Sequence, residues 1–217
     1  MTKVEEIINN DKYTKEEIVV LLKLKDEEKK YLFEKASEIK KKYVGNKVYF
    51  RGLIEMMNLC SKDCYYCGIR KSNDKIKRYN ISDEEILKAA EFAYKSNYGS
   101  IVLQGGEITS EAFSERIEKL LYKIKELSNG QLGITLSLGE QKYDVYKRWF
   151  EAGAHRYLLR IETSNRELYR KLHPNDEKHS FDKRLECLFF LRDIGYQLGT
   201  GVMIGLPFQT YEDMAND

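Results

Sequence analysis

The sequence predicts an α/β fold in which an incomplete (β/α) barrel follows a helical extension. From residue 47 onward, strand-like apolar segments alternate with amphipathic helical segments, which is typical of a parallel sheet. No GxGxxG fingerprint follows the first strand, and this favours a barrel over a dinucleotide-binding sheet. The alternation provides about five βα units, whereas a complete barrel has eight units and about 250 residues. The chain has 217 residues.

The predicted elements divide the chain into two parts. Residues 1–45 are expected to be a helical extension and residues 46–217 a partial barrel. Thr14 and Glu17 have the spacing of a capping box, and the periodic helix that follows ends at Gly45. The predicted strands are 47–56, 100–104, 133–138, 156–162 and 198–205. The predicted helices between them are 82–97, 110–128, 141–152, 165–172 and 181–194.

The composition excludes several classes of function. The 37 basic and 35 acidic residues nearly balance, so the chain lacks the strong positive field of a nucleic-acid-binding protein. No apolar run approaches the roughly twenty residues of a membrane span, and the N-terminus is too polar and acidic for a signal peptide. We therefore expect a cytoplasmic protein that binds neither nucleic acid nor membrane. The basic residues Lys71, Lys75, Lys77 and Arg78 are interpreted as a solvated loop.

The segment CSKDCYYCGIR holds three of the four cysteines, at gaps of three residues and two. In a reducing compartment, clustered cysteines indicate metal or redox chemistry rather than disulfides. A structural zinc site takes four ligands, and neither His155 nor His173 has a spacing that completes one. Three thiolates can instead bind three irons of a cubane cluster and leave the fourth iron open to a small molecule. The predicted ligands are Cys60, Cys64 and Cys67, whereas Cys187 is expected in the core.

Further candidate residues follow the other predicted strands. The active sites of (β/α) barrels form at the carboxyl ends of the strands, which makes residues there functional candidates. The second strand ends in the sequence QGGE, where glycine allows close approach of the backbone to a ligand. The fourth strand ends in Arg160 and Glu162, where aliphatic residues would be the ordinary expectation. Thr135 and Ser137 alternate on the third strand and are expected to line a substrate cavity.

The CxxxCxxC spacing, with an aromatic residue before the last cysteine, resembles the signature of the radical S-adenosylmethionine (SAM) superfamily. The resemblance implies a [4Fe-4S] cluster on the three cysteines, whose open iron holds the methionine part of SAM. It further implies reductive cleavage of SAM to methionine and a 5′-deoxyadenosyl radical. The implied SAM-binding residues are Tyr66 and Ile204 near the adenine, Gly105, Gly106 and Glu107 at the amine, Glu162 at the ribose or amine, and Arg160 or Arg184 at the carboxylate.

Four longer segments resemble the HydE family of maturases, which help to assemble the diiron centre of [FeFe]-hydrogenase. They are VYFRGLIEMMNLCSKDCYYCGIRKSN, LQGGE, YLLRIETSNRELYRKLHP and GVMIGLPFQT. The resemblance implies an organometallic iron–cysteine substrate, a reductant such as ferredoxin or flavodoxin, and other hydrogenase maturases as partners. Methylornithine synthase and biotin synthase share the barrel and the cysteine loop, so activities like theirs are alternatives.

Two features depart from the HydE pattern. Phe208 occupies a position after Leu-Pro where the resemblance predicts glycine, which implies a shifted or crowded loop. The last three strands of the barrel are also not predicted within the chain. A truncated, non-catalytic protein that binds a cluster is therefore a further alternative.

Overall fold

The computed structural model describes residues 3–217, in which a parallel sheet alternates with helices. The elements in chain order are α1 (Lys3–Ile8), α2 (Lys15–Leu22), α3 (Asp26–Val44), β1 (Gly52–Glu55), α4 (Asp83–Lys95), β2 (Ser100–Gln104), α5 (Glu111–Leu127), β3 (Gly133–Ser137), α6 (Tyr143–Glu151), β4 (Arg156–Leu158), α7 (Arg166–Leu172), α8 (Phe181–Ile194), β5 (Gln197–Gly199) and α9 (Tyr211–Asn216). A 3-10 turn, Glu177–His179, lies between α7 and α8.

The five strands of the described residues form one sheet in the order β1-β2-β3-β4-β5. Every neighbouring pair is parallel. Strands that follow one another in a single direction are typical of a (β/α) barrel, whereas the strand order of a doubly wound sheet reverses at its middle. The predicted partial barrel is therefore confirmed.

Four predicted strands are longer than the observed ones, the third by a single residue. The first strand begins at Gly52 rather than at residue 47, since its ladder with β2 starts there. The side chains of Val48, Tyr49 and Phe50 are all exposed, and a strand also needs a neighbour that supplies hydrogen bonds. The fourth and fifth strands end at Leu158 and Gly199, the last pair of the ladder between them.

The core lies between the sheet and the helices. The fully buried side chains of Ile101 and Leu103 on β2, and of Ile134 and Leu136 on β3, belong to one apolar cluster with residues of α4, α5, α6 and α8. The indole of Trp149 donates a hydrogen bond of 3.0 Å to the backbone oxygen of Ser114, which joins α6 to α5. Side chains alternate across a strand, so the intervening residues face the barrel interior. These are Leu53, Glu55, Val102, Gln104, Thr135 and Ser137.

Several helices begin at caps that the sequence encodes. Ser82 accepts a hydrogen bond from the backbone of Glu85, whose side chain bonds back to Ser82. Ser110 caps α5 and Ser180 caps α8 in the same way through their hydroxyl oxygens. Each cap satisfies backbone N–H groups that have no partner within the helix and stabilises it by about 1 kcal/mol. These helices start within two residues of the predicted positions.

The chain divides into two compact units. The unit with the sheet comprises Phe50–Glu162 and Tyr169–Gly201, and it contains the five strands and the helices α4, α5, α6 and α8. In the other unit, α2 packs against α9 and α1 packs against both α2 and α3. The capping box of Thr14 and Glu17 is present, and Gly45 ends α3 with a φ of 70°. The predicted boundary between residues 45 and 46 stays a prediction. None of the helices in residues 3–217 has the length and apolar character to span a bilayer.

Candidate active site

The three-cysteine loop follows β1 at the carboxyl edge of the sheet. Cys60 and Cys67 are half-buried, Cys64 is buried, and all three are free thiols. The backbone N–H groups of Lys62 and Glu107 each lie 3.4 Å from the Sγ atom of Cys60, to which they donate. Two such donors stabilise a sulfur atom that carries negative charge. The local structure at Cys60 therefore suits a thiolate ligand.

The glycine pair after β2 brings the backbone against this loop. A Cβ atom on Gly106 would overlap the backbone oxygen of Leu59 and lie 2.7 Å from the Cβ of Cys60. A side chain is therefore excluded at Gly106. The N–H of Ser61 donates to the backbone oxygen of Glu107 at 2.9 Å, which fixes the same contact. The GGE motif and the cysteine loop, which are separate in sequence, form one structure.

The segment from Tyr169 to His179 holds the other side of the loop. The N–H of Tyr65 donates to the backbone oxygen of Leu172 at 2.9 Å, and the N–H of Asp63 donates to Nε2 of His179 at 2.8 Å. Since Nε2 of His179 accepts, its proton lies on Nδ1, which is 2.6 Å from Asp176 Oδ1. The loop is therefore held by backbone and side-chain contacts on both sides.

Tyr66 lies beside His173 in this segment. The Tyr66 hydroxyl is 3.3 Å from Nε2 of His173, and the two rings meet edge to face with centroids 5.4 Å apart. Burial lowers the pKa of His173 to about 4, so the imidazole is neutral at pH 7. Burial also raises the pKa of Tyr66 above its ordinary value, so the hydroxyl keeps its proton. The pair forms a neutral, partly apolar surface next to Cys67.

Four charged side chains form a cluster beside the loop, which we call the buried charge cluster: Lys62, Glu107 and Arg184 are buried, and the Glu140 side chain is 12% exposed. The ammonium of Lys62 lies 3.2 Å from Oε1 of Glu107 and 3.0 Å from Oε2 of Glu140. Arg184 Nε is 2.7 Å from Glu140 Oε1, an ion pair whose angle does not fit a hydrogen bond. Burial and the nearby Glu140 raise the pKa of Glu107, whereas Lys62 and Arg184 oppose this. The two positive and two negative charges balance.

Glu162 lies beyond the end of β4 in an unusual backbone conformation. Its φ is 68°, in the left-handed region that disfavours residues with a side chain. Burial raises the pKa of its carboxyl group, and its Oε2 atom has no hydrogen-bond partner within the described residues. Arg160 Nε lies 3.9 Å from the other oxygen, Oε1. A buried acceptor without a partner fits a ligand that donates, such as a hydroxyl or ammonium group.

The donor set fits an iron–sulfur cluster and SAM. Thiolate sulfur suits iron–sulfur clusters, and the loop offers three thiols. In a cubane, each of three thiolates binds a different iron atom. The unpaired oxygen of Glu162 adds an acceptor suited to the hydroxyl or ammonium groups of SAM.

The remaining predicted residues have different environments. Thr135 is buried, and its Oγ1 atom has no hydrogen-bond partner among the described residues, while Ser137 is half-buried on the same face of β3. Ile204 is 69% exposed and belongs to the unit that lacks the sheet. Cys187 is buried within the apolar cluster, and burial raises the pKa of its thiol to about 11. The ligand-binding roles of Thr135, Ser137 and Ile204 stay predictions.

The structure also brings in residues that sequence reasoning missed. Lys62, Glu140 and His179 contact the cysteine loop or its partners, although none of them was a candidate. Their sequence signal was weak, because a single Lys or Glu in a loop is usually exposed. Arg78 was interpreted as a solvated residue, but its guanidinium donates to the backbone oxygens of five residues of the loop region. They are Asn58, Ile69, Arg70, Lys71 and Asn73.

Comparison with known proteins identifies the family. The model of the radical SAM superfamily matches residues 54–217, which is most of the chain. The chain belongs to the radical SAM superfamily. Its members bind a [4Fe-4S] cluster and SAM, in agreement with the cofactors that the sequence predicted. The match includes the cysteine loop, the GGE segment and the residues after β4.

Two curated relatives are similar over most of this chain. The [FeFe] hydrogenase maturase subunit HydE of Thermotoga maritima is 45% identical over 186 residues, which cover 86% of this chain and 51% of the relative. A biotin synthase of Geobacillus kaustophilus is 30% identical, over 98% of this chain and 63% of the relative. The chain thus spans between half and two thirds of the length of these relatives.

Solved structures of the superfamily have the same fold. Methylornithine synthase PylB superposes with a TM-score of 0.85 at 26% identity, over 98% of this chain and 62% of that protein. HydG, a maturase of the [FeFe]-hydrogenase, superposes with a TM-score of 0.82 at 26% identity, over 98% of this chain and 47% of that protein. Both agree with the barrel that the strand order indicates.

Proposed function

We propose that this chain is the radical SAM part of a HydE-type maturase, which generates a 5′-deoxyadenosyl radical for assembly of the [FeFe]-hydrogenase diiron centre. The observation that carries this proposal is the environment of Cys60. Its sulfur accepts N–H groups from the cysteine loop and from the GGE segment, so both motifs converge on one ligand position. Such a site stabilises an anionic sulfur ligand before any iron binds.

The residues of the chain would then have the following roles. Cys60, Cys64 and Cys67 would hold three irons. When bound, the cluster would supply the electron for reductive cleavage of SAM to methionine and a 5′-deoxyadenosyl radical. Glu162 would accept a hydrogen bond from a SAM hydroxyl or ammonium group, because its buried Oε2 atom is otherwise unpaired.

The other predicted contacts with SAM differ in how well the geometry supports them. Both carboxylate oxygens of Glu107 are engaged, by Lys62 Nζ and by the N–H of Glu140. The contribution of the GGE segment to the SAM amine would therefore come from its backbone carbonyl groups, which glycine leaves accessible. Arg160 is the more accessible of the two candidate carboxylate partners, because Arg184 is buried against Glu140.

The choice of the HydE type rests on relative similarity. The identity of 45% to a HydE exceeds that to the biotin synthases and to PylB, which is 30% or lower. The proposed substrate is therefore a small organometallic iron–cysteine compound, for which Thr135 and Ser137 face the barrel interior. A reductant such as ferredoxin or flavodoxin, other hydrogenase maturases and a cytoplasmic location belong to the same proposal. The four free thiols agree with a reducing compartment.

Anaerobic reconstitution tests the cofactor part of the proposal. The chain should bind about four irons and four sulfides, and SAM should change the electron paramagnetic resonance spectrum of the reduced cluster. The Glu162→Gln variant should keep the cluster and require more SAM for the same change. A spectrum that does not respond to saturating SAM would contradict the proposed cofactor site. A cluster that responds to SAM without forming 5′-deoxyadenosine would favour the non-catalytic alternative.

A substrate comparison tests the HydE type. An in vitro maturation mixture that lacks only its HydE component should regain hydrogenase activity when the reconstituted chain is added. The substrates of biotin synthase and of methylornithine synthase, the two alternative activities, should not increase 5′-deoxyadenosine formation. An increase with either compound, together with no recovery of hydrogenase, would assign the chain to that alternative instead.

A further inference from the structure

Lys62 is a buried lysine between the first two cysteines of the loop. It is 5% exposed, although lysine is rarely buried without partners. Its ammonium contacts carboxylate oxygens of Glu107 and Glu140, and it also donates to the backbone oxygen of Lys178. Two of these contacts are hydrogen bonds and the one with Glu107 is an ion pair, so the ammonium charge is paired inside the protein.

The partners of Lys62 come from three separate parts of the fold. Glu107 follows β2, Glu140 follows β3, and Lys178 lies in the 3-10 turn before α8. The backbone of Lys62 is held as well, because its N–H donates to Cys60 Sγ and its oxygen accepts from the N–H of Lys71 at 2.8 Å. Lys62 thus joins the cysteine loop to three separate segments of the fold.

Stability alone does not account for a lysine at this position. Removing an ammonium group from water costs several kcal/mol, and well-packed apolar residues often replace a buried ion pair without loss of stability. A charged side chain with several directed bonds does fix geometry, however, since each bond has a defined length and direction. Its charge also acts on the surrounding site, where screening by water is weak.

We propose that Lys62 is a positioning residue for the cluster: its bonds set the positions of Cys60 and Cys64, and its charge favours the reduced cluster. This inference rests on the proposed function, because it assumes that the loop binds an iron–sulfur cluster. Reduction adds negative charge to the cluster, and nearby charges and hydrogen bonds set the potentials of such centres. A fixed ammonium in the same loop stabilises the added charge.

Amide hydrogen exchange of the iron-free chain tests the positioning part. In Lys62→Met, we expect the amides of Ser61 and Tyr65 to exchange at least tenfold faster, whereas amides in the middle of α5 keep their rates. Lys71→Met is the matched control, because Lys71 lies in the same loop with an exposed side chain, and it should exchange like the wild type. Wild-type rates at Ser61 and Tyr65 in Lys62→Met would overturn the proposal.

A double variant covers the case in which Lys62→Met does not fold. Lys62→Met with Glu140→Gln removes one charge of each sign and leaves Arg184 and Glu107 as a balanced pair. The double variant should fold and show the same faster exchange at Ser61 and Tyr65. If it instead exchanges like the wild type, Lys62 only neutralises Glu140 and the positioning role is wrong.

The reduction potential of the reconstituted cluster tests the electrostatic part. Lys62→Met should have a lower potential than the wild type, and Lys62→Arg, which keeps the charge, should remain close to the wild type. Equal shifts of the potential in both variants would overturn the electrostatic role. Lys62→Arg keeps the positive charge, so an equal shift in that variant would have a structural cause. If the wild-type chain binds no cluster, the proposed function fails, while the exchange experiment still decides whether Lys62 holds the loop.

Discussion

Gly106 packs directly against Cys60, with room for no more than a hydrogen atom between them. A Cβ atom at Gly106 would lie 2.7 Å from the Cβ of Cys60 and would overlap the backbone oxygen of Leu59. The residue before it, Gly105, differs: a Cβ there would meet the Met57 side chain at 3.0 Å. A side chain at Gly106 would therefore collide with backbone atoms, whereas a side chain at Gly105 would collide with a flexible side chain.

Replacing Gly106 by alanine should displace the cysteine loop. The new methyl group has to move the backbone at Leu59, and we expect a loss of about 3 kcal/mol in the free energy of unfolding. Iron bound after reconstitution should fall as well, because Cys60 moves with the loop. Gly105→Ala is the matched control and should lose about 1 kcal/mol, since the methionine side chain can adapt. Equal iron content in the two variants would show that the close contact between Gly106 and the cysteine loop is not needed for cluster binding.

Replacing Cys187 by alanine should leave the cluster intact. Burial raises the pKa of the Cys187 thiol to about 11, and its Sγ lies 3.7 Å from the backbone oxygen of Gln141. A protonated thiol in the apolar core is a poor iron ligand. The iron content and visible absorbance of Cys187→Ala should match the wild type. The corresponding alanine variants of Cys60, Cys64 and Cys67 should lose both, and retention of the cluster in any one of them would contradict the ligand assignment.

The stability of the iron-free chain should depend on pH through His173. Its pKa is about 4 in the folded chain against an ordinary value of 6.5, so the unfolded chain binds the proton more tightly. The contribution of His173 to the free energy of unfolding is therefore fully present above pH 6.5 and declines as the pH falls toward 4. Between pH 7 and pH 4.5 the decline should be about 2 kcal/mol, which is below the full value of the shift because the folded chain is only partly protonated at pH 4.5.

Urea unfolding at pH 7 and pH 4.5 measures this dependence. Replacing His173 by glutamine should reduce the difference in stability between the two pH values. His155 is the matched control, because its ring is exposed on the sheet unit and packs on Phe150. His155→Gln should keep the wild-type difference. The same pH dependence in His173→Gln and the wild type would show that His173 is not the group responsible.

The sequence predicted the parts of the fold and site that depend on local patterns. The second strand and α8 were predicted at their observed bounds, because apolar periodicity and flanking turn residues define both ends. The three-cysteine loop was also predictable, since ligand spacing is itself local. Lys62 and Glu140 were not, because their importance arises from a contact between residues 78 positions apart. Periodicity carries no information on such a pairing, and only the sheet brings the ends of β1 and β3 together.

Replacing Phe208 by glycine should stabilise the chain. Phe208 has a φ of 69°, in the left-handed region, and its ring is 74% exposed. A residue with a Cβ atom is strained by about 1–2 kcal/mol in this conformation, while the greater freedom of unfolded glycine offsets part of the gain. We expect a net increase of about 1 kcal/mol in the free energy of unfolding, measured by urea denaturation. Phe208→Ala separates the backbone from the ring, because alanine removes the ring but keeps the strain. If Phe208→Ala gained as much stability as Phe208→Gly, the exposed ring rather than the backbone would be the source of the strain.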